Sequence, residues 1–365
     1  MAGPARGTLT PPDGSGHLVL GAVPPGPREM WRRVMAVLVF TCLPVLVVGL
    51  GWRIYSGEWP LALTRISTHA RAFLAIPLLL CAEALVDVRV REACLYLADS
   101  GIIGEAPGAY RSLVARYTRI RDSIAAQVVV LVIATVSLFL DWTYVDGAAP
   151  SVWGALPVTL VFRFLLVRWL WRWLLWDRLL WGVSRLPLRL RSTHPDRLAG
   201  LEPLLGPGHA FAAVVAGGAV ALAGGWADLM LRTGVSSATL RVPAVSFAVV
   251  AIAVATAPTL SFIPHLYRAR KDGLAIYGVF AAQVTDAFES RWFNTDGGLA
   301  LRKQDISSLC DLGGAYEVIV GTRVVPWSHR LGLVVGVGAL APIVPLFLAD
   351  VGVAEIGARL ISGIF

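Results

Sequence analysis

Residues 161–178 read VFRFLLVRWLWRWLLWDR. The apolar residues of this stretch are too continuous for the surface of a soluble protein, yet arginine recurs at 163, 168, 172 and 178. Extending it upstream over the apolar residues from 151 gives a helix, 151–172, of about the 20 residues that cross a bilayer. At 100° per residue Arg168 and Arg172 share one face, with Trp169, Trp173 and Trp176 on a neighbouring stripe. At 1.5 Å per residue from 151, Arg163 lies about 18 Å along the helix and Arg168 about 26 Å. Arg172 is then expected at headgroup level. Arg168 and Arg172 either snorkel there or, with Trp169 and Trp176 as a platform, form an anion or lipid-phosphate site.

Working outward, composition sets the class. The chain has 365 residues, 56% hydrophobic and 15% charged, against roughly 25% charged in soluble domains. That excludes a soluble globular enzyme, a disordered chain and a disulfide-stapled secreted module. Apolar runs give spans near 34–52, 123–141, 207–227, 242–264 and 331–349, and 71–88 qualifies if it tolerates Glu83. With 151–172 the total is about seven. The fold expected is an all-α, polytopic transmembrane helix bundle (30–365) with a small helical cytoplasmic cap. Residues 1–29, rich in Pro and Gly, read as a disordered cytoplasmic tail. They lack the features of a cleaved signal, so 34–52 reads as a retained anchor.

Loop charge tests the count, because cytoplasmic loops collect Lys and Arg. With seven spans, alternate segments hold 26 and 6 of the 32 basic residues. The expected N-terminus is cytoplasmic and the C-terminus outside, with cytoplasmic regions 87–122, 173–202 and 268–330. Trp52, Trp142, Trp153 and Trp226 fall at outer ends, and Trp31, Trp181 and Trp327 near inner ends. The net charge of +8 then reflects loops beside anionic lipid, with no nucleic-acid pattern. In the last region Leu274, Tyr277, Phe280, Ala281, Val284 and Phe288 recur at helical spacing. Turn residues follow at 294–298, and a second helix is expected over 307–320.

Charges inside spans mark function or pairing. By chain length Glu83 and Arg163 lie at equal depth, so Glu83 is expected to pair with Arg163 or Arg168, as a fixed ion pair or as part of an ion pathway. Pro258 interrupts the sixth span and frees a carbonyl; Thr256, Thr259 and Ser261 surround it, as in the broken helices that line transporter sites. Ala213, Gly217, Ala221 and Gly225, like Gly332 and Gly336, form small-residue faces suited to close helix packing or homo-oligomers. The loop residues His194, Asp196 and Arg197 read as a helix start, with Thr193 as N-cap and Pro195 just inside. No metal, cofactor or catalytic motif is present, and Cys42, Cys81, Cys94 and Cys310 are scattered, as packed thiols are.

The segments 75–83, 121–123, 168–172, 194–197 and 305–316 together resemble uncharacterised bacterial multi-span membrane proteins with an Arg-Trp-rich span followed by a His-Pro-Asp loop. The resemblance implies the same architecture, no particular activity, and a glycine-dependent turn at 198–200, where this chain has Leu198-Ala-Gly. Two Lys against 30 Arg points to a GC-rich bacterial genome and the plasma (inner) membrane. A channel or transporter for a small ion or anionic solute is the first functional expectation. A membrane scaffold or signalling protein is the second.

Overall fold

The computed structural model describes residues 27–57, 61–144, 155–293 and 303–350. The expected tail up to residue 26, Trp153, the turn at 294–298 and the C-terminal end lie outside the described residues. Every element among them is helical. In chain order they are α1 Pro27–Ser56, α2 Leu61–Thr64, α3 Ile66–His69, a π-helical segment Ala70–Ala75, α4 Ile76–Asp99, α5 Pro107–Arg121 and α6 Ile124–Tyr144. Then come α7 Leu156–Ser184, a 3₁₀ turn Glu202–Leu205, α8 Gly206–Thr233, α9 Ser237–Thr256, a 3₁₀ segment Ala257–Phe262, α10 Ile263–Phe293, α11 Lys303–Val320, α12 His329–Leu340 and α13 Val344–Asp350.

Three helices are long and apolar enough to cross a membrane: Arg28–Ser56, Glu202–Thr233 and the continuous Ser237–Ser290. Pro107–Arg121 with Ile124–Phe139, bent by 50°, makes a fourth if taken as one span. The rest of the expected seven do not stand on length and hydropathy alone, for identifiable reasons. The α3–α4 segment carries Arg71, Glu83 and Asp87, and α7 carries Arg163, Arg168 and Arg172. The helix α12 has only 12 residues before a break at 341–343.

Around this bundle the exposed surface is apolar over long stretches. Phe40 and Ile54 on α1, Val128 and Val132 on α6, Val242 and Val249 on α9, and Leu333 on α12 all face outward. A contiguous exposed apolar surface of this extent signals a nonaqueous surrounding or a partner.

Helix α8 is the centre, touching α3, α4, α9 and α12. Its small residues make this possible, although the face is not the one read at every fourth position. A four-residue step overshoots a turn by about 40°, so the stripe drifts. A Cβ on Gly217 would meet Leu79 at 3.0 Å and one on Gly224 would meet Ala70 at 2.7 Å, whereas Gly225 faces open space. On α12 a Cβ at Gly338 would lie 2.9 Å from the Ala212 carbonyl oxygen and one at Gly332 2.6 Å from the Trp327 ring, while Gly336 is loosely packed. Gly217, Gly224, Gly332 and Gly338 are therefore taken up in close packing.

One end of the bundle gathers the irregular structure. α4 continues past its expected end at 88 to Asp99, and α5 packs on α7 and buries Tyr110, Val114 and Tyr117. Tyr110 donates its hydroxyl to the Cys94 carbonyl at 2.7 Å. Cys94 is 1% exposed, sealed beneath Tyr110. Cys81 and Cys310 are exposed, so the packed-thiol expectation fits Cys94 best. A thiol buried in apolar surroundings is inert. At pH 8 a maleimide is expected to modify Cys310 rapidly and Cys94 only after unfolding, read by peptide mass.

The amphipathic helix expected around 274–288 is part of α10, which packs on α11. Leu274, Tyr277 and Val284 are half-buried there, but Phe280 is 52% exposed. α11 starts at Lys303, four residues before its expected start at 307.

Candidate functional site

α4 and α7 run in the same direction, and three polar contacts fix their register. Arg71 donates to Thr159 Oγ1 at 3.4 Å, the Trp169 indole N–H donates to the Leu79 carbonyl at 3.0 Å, and Arg172 donates to Asp87. The partners are 88, 90 and 85 residues apart. Glu83 therefore meets α7 near residue 170, not near 163. Arg168 Nη2 and Arg172 Nη1 both donate to Glu83 Oε1 at 2.9 Å.

The Glu83–Arg163 alternative is thus corrected, while the Arg168 alternative describes the observed contact. Arg163 instead donates to the Ser137 carbonyl and hydroxyl on α6. The offset arises because the helix containing Arg71 already begins at Ile66, and α7 begins only near Leu156. Reading depth from Arg71 and from 151 misplaced Arg163 by about eight residues, or ~12 Å.

The result is a four-charge cluster in which Glu83 and Asp87 face Arg168 and Arg172. Arg172 is the hub: its side chain is 9% exposed, it bonds both carboxylates, and its guanidinium lies 5.0 Å from the Trp169 ring centroid. It is buried within the helix bundle, bonded to both carboxylates. A guanidinium already satisfied by two carboxylates has little capacity for an added anion. Trp169 and Trp176 are buried at 3% and 2% and offer no exposed platform. The anion or lipid-phosphate site expected at Arg168, Arg172, Trp169 and Trp176 is replaced by an internally neutral ionic lock. Asp87 and the hub role of Arg172 were missed in the sequence. The available signal was the i, i+4 spacing of Glu83 and Asp87, which matches that of Arg168 and Arg172.

The broken sixth span is likewise filled. Pro258 has no N–H for the carbonyl four residues back, that of Val254. The Trp173 indole N–H donates to that oxygen at 2.8 Å, while its ring stacks on Phe211 of α8, centroids 4.2 Å apart. Thr256 donates to the Ile252 and Ala253 carbonyls, Thr259 to Thr256, and Ser261 to Pro258. Their hydroxyls are thus taken up by carbonyls of the break itself. Trp173→Phe is expected to cost about 1–3 kcal/mol by stranding a buried carbonyl, read as a lowered Tm in detergent.

The His-Pro-Asp loop starts no helix at Thr193. Asp196, nearly buried, accepts the backbone N–H groups of Leu198 at 2.8 Å and of Gly200 and Glu202 at 3.1 Å. His194 Nδ1 lies 2.9 Å from its carboxylate. The carboxylate thus organises a tight loop and supports the helical start six residues later, at Glu202. Arg197 and Ala199 both adopt φ 55°, and Gly200 φ 96°. The loop is stapled to its surroundings: Arg323 N–H donates to the Arg197 carbonyl and Arg189 N–H to that of Ile102, both at 2.8 Å. Arg197 also faces Glu317 on α11 at 3.6 Å.

The turn that the resemblance makes glycine-dependent is left-handed at 199 with an alanine in place. An L-residue there carries a cost of roughly 1–2 kcal/mol. Ala199→Gly is expected to stabilise by about 0.5–1 kcal/mol after the added freedom of the unfolded chain is deducted, measurable as a raised Tm.

Among the described residues, no three His, Cys, Asp or Glu side chains are placed to hold a metal ion. Two clefts border α1, one against α2, the π-helical segment and α7, and neither touches Glu83, Arg163 or Thr256. No family model matches this chain, and no curated protein or solved structure shows significant similarity to it.

Proposed function

We propose that the chain is an integral protein of the bacterial plasma membrane that crosses it seven times, N-terminus inside and C-terminus outside. We further propose that it works as a non-transporting scaffold or signalling protein. The crossings are α1, α3–α4, α6, α7, α8, α9 and α12–α13. The bias of basic residues outside the crossings toward alternate segments supports this path, as does the gathering of α5, the 185–205 loop and the α10–α11 pair at one end. The exposed Arg111, Arg116 and Arg119 of α5 sit on the inside, where they suit anionic headgroups.

One observation carries the scaffold reading. α10 continues the sixth crossing inward, and Ile276, Val279 and Phe280 on it are 67%, 62% and 52% exposed. On this path Ile276 lies 13 residues beyond Ile263, about 20 Å along the helix, on the cytoplasmic side of the sixth crossing. An apolar stripe in that position suits a protein partner. A photoreactive residue at 279 in living cells should give one discrete protein adduct, absent when the same residue replaces Asp272. No adduct above the 272 control would overturn the scaffold role.

A second reading, transport of a small ion or anionic solute, draws on the partial exposure of Glu83 (23%), Asp87 (26%) and Arg168 (28%). Ion flux into proteoliposomes that disappears in Glu83→Gln would favour it over the scaffold.

A further inference from the structure

One exposed stripe of α7 changes character along its length. Leu170, Leu174, Arg178, Trp181 and Arg185 follow one another at steps of four, four, three and four residues, so they share one helix face. Leu170, Leu174 and Trp181 are 49%, 59% and 49% exposed, and both arginines are exposed as well. Arg178 is the first exposed charge of α7. It stands 22 residues beyond Leu156, about 33 Å along the helix, where a hydrocarbon core of about 30 Å ends. On the membrane path above, the leucines meet acyl chains and the cations begin at the headgroups.

The cationic end carries charge that the protein itself does not neutralise. The Arg185 guanidinium lies 4.0 Å from the Trp181 ring centroid, which joins a cation to an indole at the level where such rings settle. α5 borders the stripe, because a Cβ on Gly182 would lie 3.2 Å from Leu113. Exposed Arg116 follows Leu113 by one turn, and α5 carries four arginines and no acid. Arg116, Arg178 and Arg185 form no salt bridge among the described residues. At the same end Arg89, Arg189 and Arg197 pair with Glu92, Glu105 and Glu317. Asp177 adjoins Arg178 in the chain but projects about 100° away round the helix and is half-buried.

We propose that Arg116, Arg178, Trp181 and Arg185 bind the phosphate of an anionic phospholipid of the cytoplasmic leaflet, with its acyl chains along Leu174 and Leu170. Forked guanidinium donors suit phosphate oxygens. A zwitterionic headgroup would bring its own ammonium against the same cations. Continuity with the exposed leucines selects a lipid over a soluble phosphate, for which the apolar half of the stripe has no use. Arg168 and Arg172 lie six to ten residues deeper and are already taken by Glu83 and Asp87. The proposal rests on the membrane reading, and its test separates the two.

The full chain in detergent is mixed with equal amounts of phosphatidylglycerol and phosphatidylcholine of identical acyl chains and examined by native mass spectrometry. Phosphatidylglycerol adducts should outnumber the others about fivefold, the gain expected of one arginine at an anionic surface. The double variant Arg178→Gln, Arg185→Gln, checked for unchanged Tm, should bring the ratio close to one. Arg89→Gln, which removes a cation already paired with Glu92, should leave it unchanged. Equal binding of both lipids, a preference that survives the double variant, an equal loss in Arg89→Gln, or displacement by millimolar glycerol phosphate would each overturn the site. The membrane reading is tested by a nitroxide on Leu174→Cys, in a background lacking the native cysteines, in phosphatidylcholine bilayers. Collisions with oxygen should exceed those with an aqueous nickel chelate, and the reverse order would overturn the crossing by α7 itself.

Discussion

Arg172→Met is expected to lower the Tm in detergent more than any other variant of the cluster, with a loss of about 3–5 kcal/mol, the range for removing one partner from a buried ionic group. Arg172 is the only side chain that bonds both Glu83 and Asp87 among the described residues. Without it, two carboxylates four residues apart on one helix face share Arg168, which bonds only Glu83. Arg168→Met should cost less, because this side chain is 28% exposed and Glu83 keeps Arg172. Neutralising the stranded acids in the triple variant Glu83→Gln, Asp87→Asn, Arg172→Met should recover part of the loss. A thermal scan of monodisperse protein orders the three. Equal Tm values for Arg172→Met and the unaltered chain would show that the lock contributes nothing.

Gly224→Leu should be as damaging, and it has an internal control one residue away. The first added carbon at 224 would lie 2.7 Å from Ala70 Cβ and 3.0 Å from Ser67 Cα. The latter is backbone and cannot yield by a rotamer change. Overpacking costs about 1–3 kcal/mol for small insertions, and leucine adds three further carbons at this close approach of α8 to Ser67 and Ala70. Nothing stands within 4 Å of a Cβ at Gly225. Gly225→Leu should therefore retain the yield and Tm of the unaltered protein while Gly224→Leu loses both.

These contrasts show where sequence reasoning reached and where it stopped. Helical class and the apolar runs were legible because they depend on local composition and the 3.6-residue period. Small-residue packing on α8 was legible too, but the four-residue spacing singled out Gly225 where helical drift places Gly224. The charged cluster was half legible. Glu83 and Arg168 stood out as charges lipid would not tolerate, yet their register depended on where two helices begin. One start lay hidden at Ile66, behind Arg65 and Arg71. The filling of the Pro258 break was not legible. It takes an indole from a residue 81 positions away in the chain, and no local pattern reports that. Asp196 was recognised as a capping residue, but its partners lie two to six residues downstream in a left-handed loop. A helix-start template does not describe that geometry.

The central claim is that the end holding α5, the 185–205 loop and the α10–α11 pair faces the cytoplasm while the α8–α9 turn faces outside. Single cysteines at Ala275, in α10, and Ser236, in that turn, each in a background lacking the four native cysteines, test it with a membrane-impermeant maleimide. The account predicts that Ala275→Cys is labelled only in inverted vesicles and Ser236→Cys only in intact spheroplasts. Labelling of both from the same side, or in the reverse sense, would contradict it.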